Sequence, residues 1–241
     1  MLVDFHSHIL PGIDDGAKNV EESVQILDMM SKTGVDLVYC TPHFYPHKQS
    51  VEDFIRARQQ AYGRLVTHLK PNHPKLKMGA EVLMSRSMLT RDVLEKLKLE
   101  GTDFVLLEMP YIHFSQNIYD GVNDIADMSG VKVLIAHLER YLVANTEDEV
   151  AELMAGENVL GQINCTSLRK MSERRRCMNF IKNGCVQALG TDYHRIERGY
   201  ALMDEGVSIL KRKLPRELFE RLIRTSEMIA ENCDVDEILE I

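Results

Sequence analysis

The sequence of 241 residues contains no tryptophan and only 6% aromatic residues, and several features that define other protein classes are absent. It has no run of about 18 apolar residues, so we expect no membrane-spanning helix. The beginning of the chain lacks a basic segment followed by an apolar one, which argues against a cleaved signal peptide. The five cysteines are widely spaced without a C-x-x-C pair, a pattern typical of a reducing compartment. Together these absences predict a cytoplasmic protein.

Excess positive charge is also absent, because 37 acidic residues outnumber 29 basic ones and the net charge is −8. A broad nucleic-acid interface normally needs a basic face, so we expect no nucleic-acid partner. One dense basic segment spans residues 169–176, and we interpret it as the solvated face of a helix. The glycine-rich motifs that bind ATP or dinucleotides, and the G-x-S-x-G motif of serine hydrolases, do not occur.

Seven short apolar segments recur along the chain, most of them rich in Val, Ile, Leu or aromatic residues. They lie at residues 2–5, 37–40, 76–80, 104–107, 131–135, 159–163 and 186–189. Segments of this kind are typical of strands buried in a parallel sheet. Helical patterns separate them, between residues 19 and 34 and at 51–69, 87–99, 146–155, 172–182 and 215–232. Asn19 with Glu22, and Thr146 with Glu149, have the spacing of helix N-caps.

The alternation of strands and helices along the whole chain predicts an α/β fold with a parallel sheet and right-handed crossovers. Seven repeats with no break in composition favour a closed or nearly closed (β/α)7 barrel that forms a single domain over residues 1–241. An open, doubly wound sheet is the alternative, which composition alone does not exclude.

Polar side chains follow each predicted strand at the point where the strand ends. They are His6 and His8 after the first strand, His43 after the second, Glu81 after the third, Glu108 after the fourth, His137 after the fifth, Asn164 after the sixth, and Asp192 with His194 after the seventh. In a (β/α) barrel the carboxyl ends of all strands lie on one face, where active sites form. We therefore expect these imidazoles and carboxylates to meet in one cluster.

Two pairs of these residues are separated by a single position, His6 with His8 and Asp192 with His194. Because side chains alternate along a strand, both members of each pair face the same side. Nitrogen and oxygen donors without cysteine favour Mn, Fe or Zn over Mg or Ca. The donors are too many for one ion, so the sequence predicts two or three ions, as is usual in metal-assisted phosphoester hydrolysis.

The chain resembles the PHP (polymerase and histidinol phosphatase) superfamily in seven segments, which are, in order, HSHILPGIDDG, TPHF, GAEV, LLEMP, IAHLERY, QIN and TDYH. More narrowly, it is similar to the bacterial manganese-dependent protein-tyrosine phosphatases encoded in capsule and exopolysaccharide gene clusters. The likeness extends from Phe5 to about Asn232. It implies the PHP fold, a distorted TIM-like (β/α)7 barrel, in agreement with the seven apolar segments.

The resemblance implies a cluster of metal ions, with Mn²⁺ favoured and Fe or Zn as alternatives. The implied ligands are His6, His8, Glu81 and Asp192 for one ion, Glu81, Glu108 and His137 for a second, and Asp15, His43 and His194 for a third. The family places its acidic ligand at the second aspartate of D-D-G. Asp15 is therefore preferred to its neighbour Asp14.

The resemblance also implies a reaction in which water activated by the metals attacks phosphorus and an acid protonates the leaving phenolate. Asp15 and His43 are candidates for that acid. Arg140, in the segment H-L-E-R, matches an arginine beside the cluster and would grip the phosphate through two hydrogen bonds. A second family arginine follows the D-x-H pair, where Arg195 and Arg198 are both candidates and Arg198 is preferred.

The sequence thus predicts a metal-dependent phosphomonoesterase. By resemblance, it would be a protein-tyrosine phosphatase whose partner is the phosphotyrosine tail of a bacterial tyrosine kinase that regulates capsular or exopolysaccharide synthesis. The alternatives are a histidinol phosphatase, another small phosphoester hydrolase, an exonuclease or a non-catalytic interaction module. No cysteine is followed six positions later by arginine, which excludes the C-x5-R loop of thiol-based tyrosine phosphatases. We expect no membrane insertion, and the oligomeric state stays open.

Overall fold

Nine parallel strands form the centre of the computed structural model, which describes residues 1–200 and 202–241. They are β1 (Val3–Ser7), β2 (Leu37–Cys40), β3 (His43–Phe44), β4 (Lys75–Met78), β5 (Glu81–Leu83), β6 (Phe104–Glu108), β7 (Lys132–Ile135), β8 (Val159–Asn164) and β9 (Ala188–Gly190). Every predicted strand overlaps one of them. All neighbouring strands pair in parallel, because helical crossovers return the chain to the same edge each time.

The strands close into a barrel of seven staves. The hydrogen-bonded order is β1-β2-β4 in one sheet and β3-β5-β6-β7-β8-β9 in the other. β3 continues the stave that β2 begins, and β5 continues the stave that β4 begins. β9 returns to β1 through a bridge between Ser7 and Tyr193 and through a 2.7 Å hydrogen bond from the Asp192 N–H to the His6 carbonyl oxygen. The predicted (β/α)7 barrel is confirmed, and the open sheet is excluded for the described residues.

Within the described residues, six α-helices connect the staves on the outside of the barrel, and three more follow the last strand. They are α1 (Val20–Met30), α2 (Val51–Val66), α3 (Arg91–Glu95), α4 (Gln116–Ala126), α5 (Glu147–Glu152), α6 (Met171–Lys182), α7 (Met203–Lys213), α8 (Arg216–Ala230) and α9 (Val235–Leu239). Both predicted N-caps are confirmed, since Asn19 accepts from the Glu22 N–H and Thr146 accepts from the Glu149 N–H. None of these helices in the described ranges has the length and apolarity to cross a bilayer.

Several helices differ from the sequence prediction. The helix expected at 87–99 is confined to Arg91–Glu95, because the Thr90 side chain accepts from the Val93 N–H and so fixes the start of the helix. The helices α4, α7 and α9 were not predicted at all. The first two each contain a glycine, Gly121 or Gly206, which lowers helix propensity, and α9 is only 5 residues long. In the fold these glycines allow close packing: a Cβ on Gly206 would lie 2.5 Å from Cys165 Sγ.

Apolar side chains form two layers, one between strands and helices and one inside the barrel. The second layer, which we call the lumen cluster, consists of Val3, Phe5, Leu37, Tyr39, Leu99, Phe104, Leu106, Leu134, Ala136, Leu160, Ala188, Met228, Ile229, Ala230, Val235 and Ile238. The end of α8 and α9 close the lumen at the amino ends of the strands. Lys132, the first residue of β7, donates there to the Cys233 carbonyl oxygen at 3.0 Å. The carboxyl ends of the strands remain open for polar residues.

Candidate metal centre

The nine predicted ligands lie together at the carboxyl end of the barrel. His6 and His8 come from β1 and the turn after it, and His43 and Glu81 open the short strands β3 and β5. Asp15 lies in the loop after β1, Glu108 ends β6, and the other ligands follow β7 and β9. Contacts of at most 3.8 Å link all nine into one network: His6, His8, Asp15, His43, Glu81, Glu108, His137, Asp192 and His194.

Four donor atoms converge at the deepest point of this network. His6 Nε2 and His8 Nε2 lie 3.1 Å apart, and each lies 3.3 Å from Glu81 Oε2 and 3.3 Å from Asp192 Oδ1. The two carboxylate oxygens are buried, and neither has a donor in hydrogen-bonding geometry. Bonds of about 2.1 Å around a tetrahedral ion place neighbouring ligand atoms about 3.4 Å apart. The spacing and the unpartnered oxygens therefore fit a bound divalent cation.

Glu81 also faces the second group of predicted ligands. Its Oε1 lies 2.8 Å from His137 Nε2, which in turn lies 3.8 Å from Glu108 Oε1. Burial, followed by the charge of Glu81, raises the pKa of Glu108 to about 7. Burial would also raise the pKa of Glu81, but His6, His137 and the other imidazoles around it hold that pKa well below its usual value. A carboxylate oxygen of Glu81 and one of Glu108 lie within 4.8 Å of each other, and a cation between them would offset their repulsion.

The third group lies nearer the solvent. His8, His43 and His194 offer nitrogen atoms within 4.8 Å of one another. Asp15 Oδ1 lies 3.3 Å from His194 Nε2 and 3.5 Å from His43 Nε2. His43 reaches inward as well, with Nδ1 2.7 Å from Glu81 Oε2. His8 therefore belongs to both the deepest and the third group, and His43 and Glu81 connect the third group to the other two. Such sharing is expected for ligands of adjacent ions.

Asp14, the neighbour of Asp15, contacts the ring of a predicted ligand from behind. Its Oδ2 lies 2.8 Å from His8 Nδ1 and accepts from the His43 N–H at 3.1 Å, while its Oδ1 accepts from the Gly16 N–H at 2.9 Å. A carboxylate on Nδ1 leaves His8 Nε2 available as a metal ligand. The D-D-G turn therefore directs its two aspartates differently, Asp15 to the open side and Asp14 to the outer side of His8.

Arg140 lies at the rim of the cluster on a 3-10 helix, Leu138–Val143, that follows β7. Its Nη1 is 2.9 Å from Asp192 Oδ2 and 3.5 Å from the Tyr111 hydroxyl oxygen. The side chain is 40% exposed. Because its partner Asp192 is buried within the network, Arg140 belongs to the cluster and is not a surface ion pair remote from it.

Of the two candidates for the second arginine, Arg198 faces the cluster more directly. Both Nη atoms of Arg198 lie 3.1 Å from Asp15 Oδ2, and Nη1 lies 3.3 Å from the Tyr200 hydroxyl oxygen. Arg195 instead donates through Nε to the carbonyl oxygens of Asp15 and Gly16. Arg195 thus holds the D-D-G turn, while Arg198 contacts a predicted ligand.

Two residues of the centre have a left-handed backbone. His137 has φ +32° and Asp192 has φ +51°, and Asn232 is the third non-glycine residue with positive φ in the described ranges. Such conformations cost of order 1–3 kcal/mol for residues with a side chain and cluster at functional sites. The His137 N–H is held by Gln162 Oε1 at 2.8 Å, and Asn164 Nδ2 donates to Asp192 Oδ2 at 3.0 Å.

Three tyrosines stack on imidazoles of the centre. The pairs and their ring-centroid distances are Tyr45 on His43 at 5.2 Å, Tyr111 on His137 at 6.1 Å and Tyr200 on His194 at 5.5 Å. Stacking restricts ring orientation and so assists precise ligation. Tyr45 and Tyr111 follow strand ends and could be noticed in the sequence. Tyr200 lies farther from its strand, and nothing in the sequence marks it.

A groove, which we call the side groove, opens beside the cluster and has a volume of about 460 Å³. It is lined by Glu139, Arg140, Leu142, Val143, Asn164, Thr166, Ser167, Glu173, Arg176, Asp192 and Tyr200. Volumes of this size are typical of small-ligand sites. Since Asp192 and Arg140 belong to both, the side groove is continuous with the candidate metal centre.

Known proteins are similar in sequence to this chain along nearly its whole length. It is 24% identical over 246 residues to the tyrosine-protein phosphatase CpsB of Streptococcus agalactiae serotype V, covering 96% of this chain and 99% of that protein. It is 22% identical to the tyrosine-protein phosphatase YwqE of Bacillus subtilis, covering 96% and 92%.

Among solved structures, those of YwqE from Bacillus subtilis and CpsB from Streptococcus pneumoniae, described as metal-dependent tyrosine phosphatases, match with a TM-score of 0.78. That match has 20% identity and covers 97% of this chain and 96% of the other. The fold is therefore shared along nearly the whole length. A family model for capsular polysaccharide synthesis proteins, CpsB/CapC, matches residues 2–230. The chain belongs to the CpsB/CapC family.

Proposed function

We propose that this protein is a metal-dependent protein-tyrosine phosphatase. The observation that carries the proposal is the convergence of His6, His8, Glu81 and Asp192 on one point, with two buried oxygens that lack a hydrogen-bond donor. Arg140 beside that point supplies a guanidinium for a phosphoryl group. Membership of a family whose relatives are named tyrosine-protein phosphatases supports the same activity.

The proposed ligand sets are His6, His8, Glu81 and Asp192; Glu81, Glu108 and His137; and Asp15, His43 and His194. Mn²⁺ is the proposed metal, and the same donors accept Fe or Zn. Divalent ions held there would supply activated water as the nucleophile and would offset the negative charge of the phosphoryl group. Asp14 would orient His8, because its carboxylate lies behind the ring at Nδ1.

Side chains at the rim of the centre would bind the phosphoryl group and protonate the leaving oxygen. Arg140 would bind phosphoryl oxygens at one side and Arg198 at the other, since both are partly exposed and contact ligands of the centre. Asp15 or His43 would donate a proton to the leaving oxygen, and both are accessible from the open side. A phenolate with a pKa of about 10 leaves readily, so this proton contributes less than it would for an alkyl ester.

We further propose that residues 1–241 act as one cytoplasmic domain on a phosphotyrosine-bearing tail of a bacterial tyrosine kinase that regulates capsular or exopolysaccharide synthesis. The open carboxyl end of the barrel favours a flexible peptide, because Arg140, Arg198 and Tyr111 at its rim are all partly exposed. The net charge of −8 makes a nucleic-acid substrate unfavourable.

A substrate panel tests the proposal. Protein loaded with Mn²⁺ is compared on a phosphotyrosine peptide, histidinol phosphate and an oligonucleotide at equal enzyme concentration, and kcat/KM is measured for each. We expect hydrolysis of the phosphotyrosine peptide to dominate and EDTA to abolish it. Activity confined to histidinol phosphate would overturn the substrate assignment. A loaded protein that does not hydrolyse even 4-nitrophenyl phosphate would instead be a non-catalytic module.

A further inference from the structure

The side groove adjoins both the candidate metal centre and helix α6. Its lining includes Asp192, which belongs to the ligand network, and its partner Arg140. It also includes Arg176, an exposed residue of α6. Val143 on the 3-10 helix is 76% exposed and gives the groove an apolar rim. A peptide whose phosphate reaches the metal centre would therefore have neighbouring residues within this groove.

Three carboxylates and two guanidinium groups line the side groove. Asp192 pairs with Arg140 at 2.9 Å, and Glu173 pairs with Lys170 at 3.0 Å. The third carboxylate, Glu139, is buried and accepts from the neutral Ser167 hydroxyl and Asn164 N–H.

Arg176 has no carboxylate within 4.0 Å among residues 1–200 and 202–241. It is therefore the one lining cation in that part of the chain whose charge no acidic side chain offsets. An exposed guanidinium without an acidic partner can bind an anionic group of a ligand through two hydrogen bonds.

We propose that Arg176 is a specificity-determining residue, which binds an anionic group on the peptide segment next to the phosphotyrosine while that segment lies in the side groove. The inference rests on the proposed phosphatase function. The anionic group is a carboxylate of Asp or Glu or the phosphate of a second phosphotyrosine, since a guanidinium binds either. The unpaired charge of Arg176 and the continuity of the groove with the metal centre support an acidic peptide as the occupant.

The chain offers a matched control for this residue. Arg175 precedes Arg176 on α6, is exposed, and does not line the side groove. Replacing either arginine changes the net charge and the helix propensity by the same amount. A general attraction of acidic peptides to the basic helix would depend on both residues, whereas binding in the groove depends on Arg176.

The test uses the full-length, Mn²⁺-loaded protein and phosphotyrosine peptides that carry Glu, Gln or a second phosphotyrosine at each position near the first. kcat/KM is measured for wild type, R176A, R176E, R175A and R175E. Dissociation constants of the matching non-hydrolysable phosphonate peptides are measured by fluorescence anisotropy, which separates binding from turnover. Thermal melting confirms that each variant is folded.

We expect wild type to prefer Glu to Gln about fivefold at one or two positions, the size of one solvent-accessible ion pair. R176A should abolish this ratio and R176E should reverse it, while R175A and R175E should retain it. A larger ratio for phosphotyrosine than for Glu at the same position would identify phosphate as the preferred anion. The ratio should also decrease at high salt, because screening weakens accessible charge pairs.

The inference is overturned if wild type shows no acidic preference, if the preference survives R176A, or if R175A removes it equally. These outcomes differ from failure of the proposed function. In the latter case wild type would hydrolyse neither the peptides nor 4-nitrophenyl phosphate, and the phosphonate peptides would bind without dependence on their phosphonate group.

Discussion

The two ends of the barrel lumen differ in their chemistry. At the amino end, Val3 and Phe104 begin β1 and β6, are buried, and belong to the same apolar cluster as the end of α8 and α9. At the carboxyl end, the equally buried Glu81 and Asp192 carry oxygens that no donor satisfies. Apolar burial stabilises a fold, whereas an unpaired buried polar atom costs free energy unless a ligand satisfies it. The amino end of the lumen therefore stabilises the fold, and the carboxyl end holds the polar groups of the candidate metal centre.

His6→Ala at the carboxyl end should have the largest effect. Removing a nitrogen from the deepest group of donors should lower kcat/KM about a thousandfold or more, together with the metal content. The fold should remain, because the lumen cluster does not include His6. Metal analysis, kinetics and circular dichroism check this prediction, and global unfolding of the variant would contradict it.

Phe104→Ala at the amino end should show the reverse pattern. Phe104 begins β6 and is fully buried in the lumen cluster, so its truncation should leave a cavity and lower the free energy of unfolding by about 4 kcal/mol. Metal content per folded molecule should not change. Denaturant titration and metal analysis measure the two quantities. A loss of metal from the folded variant would show that the two ends are coupled.

Arg140→Ala should lower kcat/KM about a hundredfold, as expected when a donor to a charged transition state is removed. The metal content should stay the same. Arg140→Lys should restore little activity, since an ammonium cannot form the paired hydrogen bonds of a guanidinium. If Arg140→Ala instead lost its metal, the role of the arginine would be to hold Asp192, its 2.9 Å partner.

Asp14→Ala should weaken metal binding by about 10- to 100-fold, the usual effect of losing a residue that orients a metal ligand. Asp14→Asn is the matched control, because its amide oxygen can still accept from His8 Nδ1. Metal dissociation constants from chelator competition compare the two variants. An unchanged affinity in Asp14→Ala would show that the His8 ring is fixed by its other contacts.

Alkylation of cysteine should have the smallest effect. Cys40, Cys165, Cys177 and Cys185 are buried, and Cys233 is partly buried at the amino end. Treatment with iodoacetamide should change turnover by no more than about twofold, as for a surface substitution. Chelation by EDTA should abolish turnover under the same conditions. Inactivation by the alkylating reagent and resistance to EDTA would indicate cysteine chemistry.

The sequence predicted the barrel because apolar content identifies buried strands without any knowledge of their partners. It did not predict the division of two staves into β2 with β3 and β4 with β5. That division depends on local backbone geometry: Pro42 cannot donate a ladder hydrogen bond, and a Cβ on Gly79 would lie 2.7 Å from Leu99 Cδ2. The contact with Leu99 arises only after the chain has folded.

For the candidate centre, the residue types at strand ends were sufficient to predict that imidazoles and carboxylates meet. The contacts between distant loops were not predictable from residue type. Asp14 and Asp15 are adjacent in sequence, and only the turn geometry separates the aspartate that faces His8 Nδ1 from the one that faces His194. In the same way, the stacking of Tyr200 on His194 depends on the path of a loop.

The left-handed backbone at His137 and Asp192 should make glycine easier to accommodate than alanine at these two positions. In this region of conformational space glycine is tolerated and a β-carbon is penalised. A metal-free chain with glycine at either position should thus be easier to fold than one with alanine, the opposite of the order in an ordinary strand. The backbone alone would select the smallest residue, so the imidazole and the carboxylate must be there for what their side chains do.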